Sequence, residues 1–333
     1  MAKLIFHAGM QKTGSSAIQS SLAAATGKGF IYPILGDGRF NPPKHTEALI
    51  RLFSSNSAKI AEQFEQAGKP MAASNDEERI RKAAADAAGG TVILSSEGAT
   101  SYLARQDLEA LRRFAEDLFD DIKIVAYIRE PFGFVSANFQ TRIKGRRLAE
   151  FSPRYKRLRP RFEIWDEVFG RDRVHLWKYD REAFPNGDVV EHFCSRLELP
   201  RLTSADSNVT LSRAAVSALY RLNKVVHSDP DVQPLHQEAR KAIIRDFPHQ
   251  DWPKFRLSPE VVTPIIRKNE DDIEWLEERT GSSLRSEVLP RAADVRSEQD
   301  LLQIDEAALA IFEQVANRLS DGAKRLLDRA LHA

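Results

Sequence analysis

Leu4-Ile-Phe-His-Ala-Gly-Met-Gln-Lys-Thr-Gly-Ser-Ser-Ala-Ile18 opens as a short apolar strand, turns through a loop of Gly, Lys, Thr and Gly, and continues into residues that suit a helix. Gly9 and Gly14 keep the spacing of a phosphate-binding loop, in which the second glycine is followed by Lys and then Ser or Thr. Here Ser15 fills the lysine slot and Lys12 lies inside the loop. Gly14 permits a tight turn, so the amides of residues 12–16 are expected to converge on one anion at a helix N-terminus, where unpaired N–H groups and the macrodipole favour negative charge. Lys12 would then sit over the bridging oxygen of a phospho-anhydride and neutralise charge on a departing phosphate. Ser15 and Ser16 add hydroxyl donors. The plainer alternative is a strand-turn-helix connection that binds nothing.

Two further stretches deliver polar residues to strand ends. Ile122-Lys-Ile-Val-Ala-Tyr-Ile-Arg129-Glu-Pro131 reads as a buried parallel strand that ends in Arg129, with a new helix starting at the proline. Ligands of open α/β sheets bind at the carboxyl edge, where Arg129 is expected. A solvent-facing Arg129 paired with Glu130 or another nearby acid is the alternative. Thr91-Val-Ile-Leu-Ser-Ser-Glu97-Gly98 runs strand-forming residues into Ser-Ser-Glu-Gly, so Glu97 also emerges at a strand end. Its carboxylate has two readings, a site residue or a cap for a helix starting near Thr100 or Ser101. His7 lies within the first strand, where a lone histidine is expected to be packed and hydrogen-bonded. His45 follows Tyr32-Pro33 and Pro42-Pro43-Lys44 in an irregular stretch, either at the site or as an ordinary loop histidine.

The remaining chain fits an alternating order of strands and helices. Strand 3–8 leads to a helix from about Gly14 to Ala25, an irregular stretch to Lys44, and two helical segments across roughly 45–90 broken at Ser54-Ser55-Asn56 and Pro70. Strand 91–95, a helix carrying Leu108, Leu111, Ala115 and Leu118, and strand 122–128 follow, an order that favours a parallel sheet. Phe162, Trp165 and Phe169 make an apolar stripe closed by Gly170, and residues 173–179 read as another strand. Past Pro200 the periodicity is helical with no convincing strand. Ala308, Phe312, Val315 and Leu319 form one apolar helical face, suited to packing on the domain or on a second copy of the chain.

Composition narrows the functional classes. The 333 residues are 29% charged and 42% hydrophobic with a net charge of +1, so nothing argues for bulk attraction to nucleic acid or for membrane insertion. Cys194 is the only cysteine, which excludes an internal disulfide and a cysteine-based metal cluster. No apolar leader precedes the loop, and a cytoplasmic protein is expected. Between Arg142 and Arg161 nine Lys or Arg residues face the single acid Glu150. That run would guide a polyanionic donor, hold an acidic acceptor, or form a solvated basic loop.

The motifs together resemble sulfotransferases that use 3′-phosphoadenosine 5′-phosphosulfate (PAPS). Their first strand leads into Pro-Lys-Thr-Gly-Thr-Thr or a close variant, which Gln11-Lys12-Thr13-Gly14-Ser15-Ser16 resembles with Gln11 in place of proline. The likeness also covers Trp165, Phe169-Gly170 and Tyr179, then Asn208 with Thr210-Leu-Ser212, and Trp275, Leu276 and Gly281, so that it spans roughly residues 3–285. It implies a P-loop NTPase-like three-layer α/β fold, with a central parallel sheet flanked by helices and a mainly helical C-terminal part. The implied organisation is a PAPS-binding core over 1–200, a helical completion of it over 201–285, and a helical extension over 286–333. By the same resemblance, Gln11, Lys12 and the amides and hydroxyls of Thr13, Gly14, Ser15 and Ser16 hold the 5′-phosphosulfate, while Arg129 and Ser136 bind the 3′-phosphate. Glu97 is the expected base for the acceptor hydroxyl, and His45 a competitor that touches the acceptor.

The expected activity is sulfuryl transfer from PAPS to a hydroxyl or amine, on a carbohydrate, glycolipid or small-molecule acceptor, with no metal and no nucleic-acid partner. The C-terminal helices are the surface expected to serve a homo-oligomer. Two alternatives remain: a P-loop kinase-like phosphotransferase, which would hold Mg²⁺ through a loop Ser/Thr and a strand-end aspartate, and a nucleotide-binding scaffold without turnover.

Overall fold

The computed structural model describes residues 1–36, 44–66, 70–71, 74–145, 148–204, 211–228 and 232–332. Pro42, Pro43, Arg146, Arg147, Asn208 and Thr210, which entered the sequence reading, lie outside the described residues. The chain divides into two units, one of residues 1–129, 157–207 and 271–284, the other of residues 130–156, 208–270 and 285–333. The units interleave along the chain, whereas the sequence reading divides it at 200 and 285.

The chain runs through β1 (Ala2–His7), α1 (Ser15–Ala24), β2 (Phe30–Ile31), α2 (Thr46–Phe53), α3 (Ser57–Gln66), α4 (Asp76–Asp86), β3 (Thr91–Ser95), α5 (Ala99–Tyr102), α6 (Arg105–Glu116) and β4 (Phe119–Arg129). Then come α7 (Pro131–Lys144), which opens the second unit, α8 (Arg159–Phe169), β5 (Val174–Tyr179) and α9 (Val189–Arg196). The last part is helical: α10 (Arg213–Ser228), α11 (Gln233–Asp246), α12 (Pro259–Arg267), α13 (Glu270–Thr280), α14 (Glu298–Leu302), α15 (Glu306–Ala316) and α16 (Asp321–His332).

The first unit is an α/β layer structure whose five strands pair in parallel in the order β2-β3-β1-β4-β5. Side chains alternate across a strand. Ile5 therefore joins Ile18 and Leu22 of α1 and Phe193 of α9 in one cluster, while Phe6 turns the other way and meets the ring of Trp165 on α8 at 5.1 Å. α6 packs on α8. Covering on both faces explains why β1 and β4 read as nearly continuous apolar runs. Fully burying a residue such as Ile18 or Leu22 contributes about 2 kcal/mol each.

Register sets the height of the site residues. His7 pairs with Ser95 of β3 and Val125 of β4, so β1 and β3 end level, and β4 continues four residues further to Arg129. The edge strand β2 falls in the stretch read as irregular, and three helices occupy 46–86 where two segments are expected.

The second unit is helical among its described residues. Val135 and Phe139 of α7, Leu219 and Leu222 of α10, Ile243 of α11 and Phe312 of α15 share one apolar cluster. Ala308 and Phe312 belong to it, Leu319 packs against it and Val315 is buried too, so the apolar face of the C-terminal segment is used within its own unit. No helix among the described residues is long and apolar enough to cross a membrane.

Candidate active site

The loop after β1 is shaped by two residues in left-handed backbone, Lys12 at φ 66° and Gly14 at φ 76°. Gly14 immediately precedes α1, and a Cβ there would approach Val189 Cγ1 of α9 to 2.6 Å. Only glycine meets both demands. A Cβ on Gly9 would come within 2.8 Å of Ser15 Oγ and 3.2 Å of Glu97 Cγ, so the Glu97 side chain lies directly against the loop backbone. α1 starts without a side-chain cap, and the amides of its first turn have no helical carbonyl to bond. Lys12 and Gln11 are exposed on the loop.

The hydroxyls of Thr13 and Ser15 are turned inward. Both residues are buried, and both donate to the Met10 carbonyl, Thr13 Oγ1 at 2.8 Å and Ser15 Oγ at 3.0 Å. A hydroxyl has one hydrogen, so each presents only lone pairs elsewhere, which an oxyanion repels. In this arrangement they brace the turn. Ser16 stays half-buried at the first turn of α1.

Arg129 reaches the loop from β4, its Nη1 lying 3.4 Å from the Lys12 carbonyl oxygen. Lys12 on the loop after β1, Glu97 just beyond β3 and Arg129 at the end of β4 thus follow three adjacent strands. Glu130 does not serve only as a neighbour to Arg129, because both its carboxylate oxygens accept from the Gly133 N–H at 2.8 Å and cap α7. Ser136 falls in the second unit, buried on α7, where its hydroxyl accepts the Leu257 N–H at 3.3 Å.

Beneath the loop lies a buried polar layer that sequence reading found only in part. Ser95 Oγ is 2.8 Å from His7 Nδ1 and accepts from Gln19 Nε2 at 3.0 Å, and it also bonds Tyr32. Tyr32 stacks near His45 with centroids 4.4 Å apart. His45 is fully buried, its Nδ1 accepts the Ser95 N–H at 3.0 Å, and its Nε2 donates to the Pro33 carbonyl at 2.8 Å. The Ser95 bond leaves Nδ1 unprotonated and fixes the tautomer. Burial lowers the pKa of His45 to about 4 and of His7 to about 3, so both are neutral near pH 7. Burial pushes the Tyr32 phenol well above its ordinary range, partly offset by the bond to Ser95.

Gln19, Ser95, Thr46 and Val189 were not singled out by the sequence. For Gln19 a signal exists, a polar residue beside Ile18 and one turn from Leu22 on a helix whose neighbours enter the core. The others depend on contacts far apart in the chain.

No family model and no curated protein matches the chain. Among solved structures it is similar to a sulfotransferase from Alicyclobacillus acidocaldarius, with 13% identity, coverage of 74% of this chain and 98% of that one, and a TM-score of 0.34. It is also similar to the sulfotransferase domain from the curacin biosynthetic pathway, with 14% identity, coverage of 60% and 75%, and a TM-score of 0.32.

Proposed function

We propose that the protein is a PAPS-dependent sulfotransferase acting on a hydroxyl or amine, with a carbohydrate or glycolipid as the acceptor class. The observation that carries this reading is the convergence of an exposed loop lysine, a strand-end glutamate against the loop glycine, and a strand-end arginine bonded to the lysine's own carbonyl. The acceptor oxygen attacks sulfur, the bond from sulfur to the bridging phosphate oxygen breaks, and 3′-phosphoadenosine 5′-phosphate leaves. Glu97 takes the acceptor proton. Lys12 neutralises the charge that gathers on the departing phosphate, aided by the uncapped first-turn amides of α1. Arg129 is assigned to the 3′-phosphate, a planar fork suited to that group. His45, with both ring nitrogens bonded, is poorly disposed to transfer a proton.

A kinase of this loop type carries lysine after the second glycine, where this chain has a buried Ser15 that donates to Met10. Calorimetry with 3′-phosphoadenosine 5′-phosphate and with ATP, each with and without Mg²⁺, tests the choice. Tighter binding of the 3′-phosphorylated nucleotide, unchanged by chelator, is expected, together with added SO₃ detected by mass spectrometry when labelled PAPS meets a mixed glycan pool. Tight Mg-ATP binding with no affinity for the bisphosphate overturns the proposal in favour of a phosphotransferase. Bisphosphate binding with no transfer to any acceptor leaves a scaffold and overturns the catalytic claim.

A further inference from the structure

We infer that His45 and Thr46 are positioning residues that clasp Glu97 from both sides, an inference that rests on the reading of Glu97 as the base. Two bonds join His45 to the residue two places before Glu97: its own N–H donates to the Ser95 carbonyl at 3.1 Å, and its Nδ1 accepts the Ser95 N–H at 3.0 Å. Thr46 Oγ1 then lies 3.0 Å from Ser96 Oγ and accepts the Gly98 N–H at 3.4 Å, so one threonine hydroxyl touches both neighbours of the glutamate. A Cβ on Gly98 would strike Thr46 Cγ2, which shows how closely the clasp fits. Ser96 Oγ also accepts the Ala99 N–H at 3.0 Å and ties the turn to the start of α5. On its other side the clasp is anchored by the Pro33 carbonyl, through His45 Nε2.

The result is a glutamate whose backbone is bound before and after it by an element outside its own strand, while its Cγ rests against Gly9. A carboxylate that must meet an acceptor hydroxyl at hydrogen-bond distance gains from such fixing, because a misplacement near 1 Å costs about a hundredfold in rate. His45 serves this end by its shape and its tautomer, and gives up no proton.

The test compares His45→Leu, His45→Asn and Thr46→Val with the parent, using amide exchange at Ser95 and Gly98, calorimetry with 3′-phosphoadenosine 5′-phosphate, and turnover of labelled PAPS with a mixed glycan pool. The Asn Oδ1 replaces Nδ1 as acceptor for the Ser95 amide. Expected are faster exchange and a turnover loss of about ten- to a hundredfold in His45→Leu and Thr46→Val, with nucleotide affinity held and most activity restored by His45→Asn. Adding His45→Leu to Glu97→Gln should cost nothing further. Equal inactivity of the Leu and Asn variants with unchanged exchange would make His45 a proton carrier and overturn the clasp, as would full turnover in both His45→Leu and Thr46→Val. Full turnover in Glu97→Gln alone strikes the reading of Glu97 instead, while the exchange data still report whether the clasp holds the turn. Thr46→Val keeps the test decisive should His45→Leu fail to fold.

Discussion

In the first unit one group of buried polar side chains gathers under the loop, where His7, Gln19 and Tyr32 each bond Ser95 and His45 holds the end of β3. In the second unit a different group of polar side chains closes helix ends. Arg221 donates from Nε to the Leu302 carbonyl at 2.8 Å and from Nη1 to the Leu331 carbonyl at 2.6 Å, near the ends of α14 and α16. Asn223 donates to the Ile143 and Leu148 carbonyls at 2.9 and 3.1 Å, and Arg240 to the Lys144 carbonyl at 3.0 Å, around the end of α7. The last carbonyls of a helix have no partner within it, and a buried one left bare costs about 1–3 kcal/mol. The comparison teaches that polar side chains can serve two ends: the group around Ser95 shapes the loop beneath which it lies, while Arg221, Asn223 and Arg240 satisfy backbone carbonyls at helix ends.

The sharpest way to break that contrast is Lys12→Ala. It should lower sulfuryl turnover by about a hundredfold or more and leave the melting temperature nearly unchanged, since the side chain is exposed; a thermal melt run beside the PAPS assay checks both halves. Acid comes next. The folded values of His7 and His45, about 3 and about 4, lie below the ordinary 6.5, so between pH 6.5 and 4 the unfolded chain binds protons that the native one refuses. Stability should be complete above pH 6.5 and fall as pH drops, at up to about 2.7 kcal/mol per pH unit for the two groups together. Urea midpoints at pH 7, 6 and 5 measure the slope, and His45→Asn should remove the share that His45 contributes to it.

Gly14→Ala follows at about 2 kcal/mol, from a side chain forced into left-handed backbone against Val189; it should lose nucleotide affinity and melting temperature together. Arg221→Met is the smallest, at about 1–2 kcal/mol for the exposed helix-end carbonyls. Its expected signature is the inverse of Lys12→Ala, a lower melting temperature with nucleotide affinity intact by calorimetry.

The first unit was largely written in the chain. Thr91–Ser95 forms a strand over the residues expected, and β1, β4 and β5 begin and end within three residues of their apolar runs, because strands covered on both faces leave few polar interruptions. The two residues of β2 carry no period, and only pairing with β3 makes them a strand. The boundary between units was invisible for a related reason: α7 starts at Pro131, two residues after the last residue of β4, with no linker composition to mark a change. Lys12 was legible as a loop residue, and Glu97 and Arg129 as strand-end residues. The inward turn of Thr13 and Ser15 was not, since it answers the Met10 carbonyl, and the double bond of His45 was not, since Ser95 is 50 residues away in sequence. The apolar face of α15 was visible as a stripe, but its destination required the rest of the helical cluster.

The bond from Arg129 to the carbonyl of Lys12 has a consequence for testing the proposed activity by kinetics. Truncating the arginine would unseat the peptide that carries the Lys12 ammonium group, so on the proposed reading a rate measured on that variant would mix any lost donor preference with a displaced lysine. Discrimination between bisphosphate and monophosphate nucleotides has to be scored by equilibrium titration of the desulfated compounds, where no bond is breaking and the aim of the lysine drops out.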